Sequence, residues 1–178
     1  LVKKTSRGIR STLFFQAMAH TCAANIALLL GIVGEVFATN SACSSSNQAI
    51  GLGADRIRLG RADVVLAGGA EELHHAAAVI FDSLGAATHI HDPEHTPRPF
   101  QIDRDGIVVG EGAGIVVLES LEHAKHRGAP ILGEVLGFGT ACDAVHMASA
   151  APEGMVQAIN RCLLDARVTS HQVHHINA

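Results

Sequence analysis

The chain has no tryptophan and no tyrosine, and only six phenylalanines in 178 residues. Its core must therefore be built from Ala, Val, Ile and Leu, and the 18 glycines point to close backbone packing. Charge is sparse as well: 17% of residues are charged, and the net charge is -4. The basic residues are mostly scattered, which excludes the phosphate-tracking surface of a nucleic-acid binder. Lys3, Lys4, Arg7 and Arg10 do gather near the start. They read as a solvated face or, alternatively, as a contact for an acidic partner. The cysteines Cys22, Cys43, Cys142 and Cys162 form no C-x-x-C pair and no metal spacing, as for reduced thiols in a cytoplasm. The apolar run 23–33 is too short to span a bilayer and lacks the flanks of a secretory signal. A soluble cytoplasmic protein is expected, without metal, membrane or nucleic acid.

What is present is apolar. At 48% hydrophobic residues the chain has the means to build a sizeable core and is no disordered segment. Leu1 in place of a start Met, and an apolar close at Ile176-Asn177-Ala178, read as the cut ends of an internal piece.

Periodicity predicts alternating strands and helices. Met18, Cys22, Ile26, Leu29 and Leu30 suit one buried helix over 12–30, ended by Gly31 and Gly34. Residues 35–40 read as a strand. Ala49, Ile50, Leu52, Gly53, Ile57 and Leu59 recur at helical spacing. Strands are expected at 63–69, at 131–139 and, as a buried strand, at 114–118. Helices are expected within 71–84, at 121–127 and at 152–165, and 88–105, with three prolines, reads as a long surface loop. Such alternation argues for an α/β fold.

Cys43 is the residue with the clearest chemical promise. It falls in a small-residue turn, Ser41-Ala42-Cys43-Ser44-Ser45-Ser46, between a predicted strand and a predicted helix. Unpaired N–H groups and the helix dipole at such a turn favour the charged sulfur that attacks carbonyls. Its own backbone N–H is suited to hold an oxyanion. On position alone a buried structural cysteine fits equally well. Gly110-Glu111-Gly112-Ala113-Gly114 lacks dinucleotide-fingerprint spacing and opens no helix. Glu111 reads as a buried, hydrogen-bonded structural carboxylate, and Asp103, Arg104 and Asp105 as a salt-bridged loop anchor. His74, His75, His89, His91 and His95 lie on a helix start and a loop, with no spacing for a closed metal site.

Six blocks, in order, then settle the role of Cys43. They are 40–51 (Asn-Ser-Ala-Cys-Ser-Ser-Ser-Asn-Gln-Ala-Ile-Gly), 66–72 (Leu-Ala-Gly-Gly-Ala-Glu-Glu), 81–86 (Phe-Asp-Ser-Leu-Gly-Ala), 98–100 followed by 103–114, 137–146 (Gly-Phe-Gly-Thr-Ala-Cys-Asp-Ala-Val-His), and the closing 176–178. Together they cover nearly the whole chain and resemble the β-ketoacyl-[acyl-carrier-protein] synthases. The resemblance implies the thiolase-like fold, α/β in αβαβα layers, of which this chain would be a part spanning the junction of two halves. Residues 1–130 would end the N-terminal half and 131–178 would start the C-terminal half, stopping before the family's His-Gly-Thr motif.

The same resemblance implies 3-oxoacyl-[acyl-carrier-protein] synthase activity in fatty-acid elongation, with Cys43 as the catalytic acyl acceptor. Phe81 matches a residue lining the acyl pocket, and His146 a position near the pantetheine tunnel. A packed loop histidine is an equal reading of His146. No cofactor is implied beyond the phosphopantetheine of the acyl carrier protein, which is the expected partner. The intact parent would be a homodimer, and the piece alone would be inactive. A polyketide or polyunsaturated-lipid ketosynthase is the alternative, because the serine triplet after Cys43 is more typical of modular polyketide synthases. A non-catalytic partner subunit usually lacks the nucleophile that this chain has.

Overall fold

The computed structural model describes residues 11–16, 18–146 and 150–177; Lys3, Lys4, Arg7 and Arg10 lie outside them. In chain order the elements are α1 (Ser11–Gln16), α2 (Thr21–Leu30), α3 (Ser45–Arg58), β1 (Val64–Glu71), α4 (His75–Ser83), β2 (Gly112–Glu119), α5 (Leu121–His126) and α6 (Pro152–Ala166). The chain divides into two units, one made of 1–68 with 115–178 and the other of 69–114.

The first unit is layered around α3, and two of its glycines show how. A Cβ on Gly53 would meet Leu118, Val65 and Ala67 at 3.0, 3.1 and 3.5 Å, so this face of α3 lies on the β1–β2 pair. A Cβ on Gly51 would fall 2.2 Å from the Phe138 ring. Residues two apart sit about 200° around a helix, so Gly51 turns the opposite face of α3 to the 135–139 segment. That segment is backed in turn by α6: a Cβ on Gly139 would lie 2.2 Å from the Ala158 carbonyl oxygen. The order is therefore sheet, α3, extended segment, α6. The two glycines of α3 each sacrifice about 1 kcal/mol of helix propensity to let these layers approach. Ala54 of α3, Ala67 of β1 and Ala124 of α5 are buried where they do so.

Strands β1 and β2 pair with each other. The Ser120 N–H donates to the Asp63 carbonyl at 2.9 Å, which sets the end of β2 beside the start of β1, so they run antiparallel. At that end Glu119 gathers α5. Its carboxylate accepts from His123 Nδ1 and from Arg127 Nε, each at 2.7 Å. Arg127, then His123, hold its pKa down at about 2. Ser120 caps α5 through its hydroxyl, which accepts from the His123 N–H.

Four sequence expectations need correction. The helix expected over 12–30 is two helices, because the backbone turns at Met18–His20. There the Met18 N–H bonds the Phe15 carbonyl, the Thr21 N–H bonds the Met18 carbonyl, and the Thr21 hydroxyl also reaches the Phe15 carbonyl. Nor is α2 buried: beyond Ala27, its residues Leu28 and Leu29 are 80% and 83% exposed. Gly31 does end it, in the left-handed conformation. Residues 35–40 and 131–139 are not strands. They have β-type composition, but a strand also needs a neighbour to complete its hydrogen-bond ladder; within 131–139 the carbonyls of Val135 and Leu136 bond Arg58 and the Phe138 N–H bonds Asp165 instead. Finally, β2 is a strand but not a buried one; Ile115, Val116 and Val117 are exposed.

In the second unit α4 leads to the segment 84–111. The Thr88 N–H bonds the Ile107 carbonyl and the Ile107 N–H bonds the Ala86 carbonyl, both at 2.9 Å. Asp105 accepts from the Thr88 hydroxyl (2.6 Å) and the His89 N–H (2.7 Å), and these bonds, in that order, lower its pKa. Arg98 pairs with Asp103. The expected salt-bridged anchor is corrected in part: Asp103 pairs with Arg98, whereas Asp105 works through hydrogen bonds and Arg104 bonds the Gln101 carbonyl.

Candidate functional site

Cys43 sits in a 3₁₀ turn, Ala42–Ser44, that runs directly into α3. Ala42 has φ +50°, a left-handed conformation that costs a residue with a Cβ about 1–2 kcal/mol. Hydroxyl groups hold it there. The Ser41 N–H donates to Ser45 Oγ at 2.8 Å, and the Ser45 hydroxyl donates to the Ala42 carbonyl at 2.7 Å. The Ser44 hydroxyl reaches the Ser41 carbonyl at 2.9 Å, and the Thr39 hydroxyl reaches the Ser45 carbonyl at 2.8 Å. The serine-rich sequence is thereby a belt around the turn, and Cys43 is exposed at its apex. The thiol lies at the N-terminal end of a 14-residue helix, the end at which the helix dipole is positive. A nucleophilic sulfur with its own N–H beside it is an arrangement suited to attacking a carbonyl and holding the resulting oxyanion.

The far end of α3 is held differently. Arg58 Nη2 donates to the carbonyls of Val135 (3.0 Å) and Leu136 (2.8 Å), and Nη1 bonds Asp165 of α6 (3.0 Å) and Asp55 (3.3 Å). Asp165 also accepts from the Phe138 N–H at 2.8 Å. The Phe138 N–H and then Arg58 lower the pKa of Asp165. Arg56 pairs with Glu35 at 3.2 Å and lies 5.6 Å from the Phe37 ring centre, tying 35–37 to the same helix. A cavity of about 270 Å³ lies between α3 and α6, with Asn47, Ile50, Phe138 and Cys162 among its walls. Asn47 of this lining lies four residues after Cys43 in the chain, within the first turn of α3.

His146, exposed in the stretch before α6, shares the first unit with Cys43. Phe81, half-buried on α4, belongs to the second. Its carbonyl accepts from the Ala86 and Ala87 N–H groups. Glu111 accepts from the Leu73 N–H at 3.2 Å but is exposed rather than buried, since solvent reaches the Gly-flanked loop that carries it. His74 caps α4 by accepting from the Ala76 N–H, and His95 pairs with Asp92 at 2.6 Å. Among the described residues no group of three His, Cys, Asp or Glu is placed to hold a metal ion, and no helix is long and apolar enough to cross a membrane. The Ser45 belt and the Arg58–Asp165 clasp were missed in the sequence. The serine triplet was a visible signal for the first. Nothing local marks the second, whose partners lie 77 to 107 residues from Arg58.

Sheet, central helix with a thiol at its head, extended segment and outer helix make up part of the thiolase-like fold of the ketosynthases. The chain belongs to the β-ketoacyl synthase family: residues 2–124 match the family model "Beta-ketoacyl synthase, N-terminal domain". It is 45% identical over 165 residues to Nodulation protein E of Rhizobium sp. (strain N33), covering 92% of this chain and 40% of that protein. It is 40% identical over 187 residues to the chloroplastic 3-oxoacyl-[acyl-carrier-protein] synthase I of Arabidopsis thaliana, covering all of this chain and 38% of that one. The crystal structure of a β-ketoacyl synthase from Burkholderia phymatum STM815 superposes with a TM-score of 0.91 at 43% identity, over 96% of this chain and 42% of that chain. The chain thus spans about two fifths of the length of the proteins it matches.

Proposed function

We propose that this chain is the nucleophile-bearing part of a longer 3-oxoacyl-[acyl-carrier-protein] synthase acting in fatty-acid elongation. The observation that carries the reading is the exposed Cys43 at the head of α3, in a chain of this family. The Cys43 sulfur attacks the thioester of an acylated carrier protein. The carrier's C–S bond breaks, a new thioester forms on Cys43, and the carrier leaves as its free thiol. A malonyl-loaded carrier then loses carbon dioxide. The resulting carbanion attacks the Cys43 thioester, forms the carbon–carbon bond and expels the Cys43 thiolate, leaving a 3-oxoacyl carrier protein.

Phe81 lines the acyl pocket and His146 stands near the phosphopantetheine in this reading. Residues 1–130 complete the first half of the synthase and 131–178 open the second. The working form is a cytoplasmic homodimer, with acyl carrier protein as partner and no cofactor of its own. The serine triplet favours a second reading, a ketosynthase of a polyketide or polyunsaturated-lipid system.

The test uses the full-length parent with radiolabelled acyl carrier protein and malonyl carrier protein. Label retained on the wild type and lost in Cys43→Ala, with 3-oxoacyl product from the wild type alone, is the expected result. A wild type that takes no label on Cys43 overturns the reading. Product length, and whether flanking sequence continues into an acyltransferase domain, separates the fatty-acid from the polyketide reading.

A further inference from the structure

We propose that Ser45 is a positioning residue that aims the Cys43 N–H at the oxyanion formed during acyl transfer. The inference rests on the functional reading above and adds a residue to it. Its basis is the geometry of one peptide unit. The Ala42 carbonyl and the Cys43 N–H belong to the same planar, trans peptide, so they point in opposite directions and rotate together. Whatever fixes the Ala42 carbonyl therefore fixes the direction of the Cys43 N–H.

Two groups fix that carbonyl, and both belong to Ser45. Its backbone N–H donates to the Ala42 oxygen, and its hydroxyl donates to the same oxygen at 2.7 Å. The hydroxyl also accepts from the Ser41 N–H at 2.8 Å. A serine hydroxyl has one proton to give, and here it goes to the peptide unit that carries the Cys43 N–H. The bonds to Ser41 and Ala42 lie on either side of the left-handed Ala42 (φ +50°), which has no conformational preference of its own for that state. Without the hydroxyl, the 42–43 peptide keeps one bond of two and gains freedom to rotate.

An oxyanion donor works by being held in place before the charge develops, and losing one outright costs about 10²–10³ in rate. Ser45→Ala would mis-aim the donor and leave the backbone bond in place, so a loss of about ten-fold in acyl transfer is expected. Alkylation of Cys43 by iodoacetamide gives the discriminating readout. It forms the C–S bond and expels iodide at a saturated carbon, so no oxyanion develops.

In the full-length protein, single-turnover transfer of a labelled acyl group from acyl carrier protein to Cys43 would be measured beside the alkylation rate of Cys43, read by peptide mass spectrometry, and beside Tm. The expected result for Ser45→Ala is slower acyl transfer, an unchanged half-saturating carrier concentration and an unchanged alkylation rate. Ser45→Thr, which keeps the hydroxyl, restores transfer. Should Ser45→Ala fail to fold, Ser45→Gly, which also lacks the hydroxyl, carries the same expectation. Equal losses in transfer and alkylation would mean that Ser45 acts on the sulfur or on the fold. That outcome overturns the proposal, as does normal transfer in the folded variant. A wild type that transfers no acyl group to Cys43 overturns the functional reading and this proposal with it.

Discussion

The two ends of α3 are fastened by different chemistry. At the N-terminal end every bond is short in sequence and neutral: Thr39, Ser41, Ser44 and Ser45 fold the chain on itself within seven residues. At the C-terminal end the bonds are charged and, Arg58 to Asp55 apart, long in sequence, from Arg58 to Val135, Leu136 and Asp165. The first set shapes the turn around Cys43 and depends little on the rest of the molecule. The second fixes α3 against the 135–139 segment and α6. A reactive turn built from local hydroxyls keeps its geometry when distant packing loosens, whereas the helix behind it does not. The comparison predicts that perturbations will separate the two ends.

The largest effect is expected from Gly51→Ala, which drives a wedge between them. Its Cβ would fall 2.2–2.5 Å from three atoms of the Phe138 ring, and overpacking this tight is placed at or above the upper end, about 3 kcal/mol, of the usual cost, which outweighs a helix-propensity gain of about 1 kcal/mol. In the full-length protein the denaturant midpoint, followed by circular dichroism, should fall. Hydrogen exchange should rise in 135–139 before it rises at 41–45. Equal rises at both sites would show the ends of α3 to be coupled.

Arg58→Ala ranks next. It leaves two carbonyls and the Asp165 carboxylate short of a partner. The Arg58 side chain is 35% exposed, so solvent takes over part of these bonds and about 1–2 kcal/mol is expected. Exchange should again rise in 135–138 and α6, with little change in the alkylation rate of Cys43.

How much of this was legible follows the same division. The α3 helix, the turn holding Cys43, β1, α5 and α6 could be read because their signals are local: helical spacing, small residues, and a Ser or Pro at a helix start. Residues 35–40 and 131–139 carry strand composition, but pairing is a property of neighbours, and none completes a ladder with them here. Burial failed for the same reason. Leu29 and Leu30 of α2 and Ile115 and Val117 of β2 read as core residues, yet they are exposed. The chain alone is therefore expected to be poorly soluble, which light scattering of the expressed 178-residue polypeptide would check; a monodisperse monomer would contradict it.

Acid should loosen one end of α3 and spare the other. The folded-state pKa of Asp165 lies below its ordinary value of 3.8, because the Phe138 N–H and Arg58 favour the carboxylate. Its stabilisation is therefore fully present above that ordinary value and is lost as pH falls through the lower folded value. No titratable group takes part in the bonds of the Ser45 belt. The Phe138 amide shift should titrate below the ordinary carboxylate range in the wild type and move up in Arg58→Ala, while the Ser41 amide shows neither change.

Ala42→Gly should have the smallest effect on stability. Glycine removes about 1–2 kcal/mol of left-handed strain but adds unfolded-state entropy worth about 0.5–1 kcal/mol, so much of the gain is offset and Tm should rise only slightly. The informative quantity is its coupling to Ser45. If the belt exists to hold a residue that resists its own conformation, Ser45→Ala should cost less stability in the Ala42→Gly background than in the wild type. A double-mutant cycle on Tm measures this directly. Additive effects would mean that the hydroxyl holds only the peptide plane and does nothing for the strained residue. Sub-additive effects would mean that the same two bonds restrain the strain at Ala42 and the direction of the Cys43 N–H, which a turn of so few residues has little room to separate.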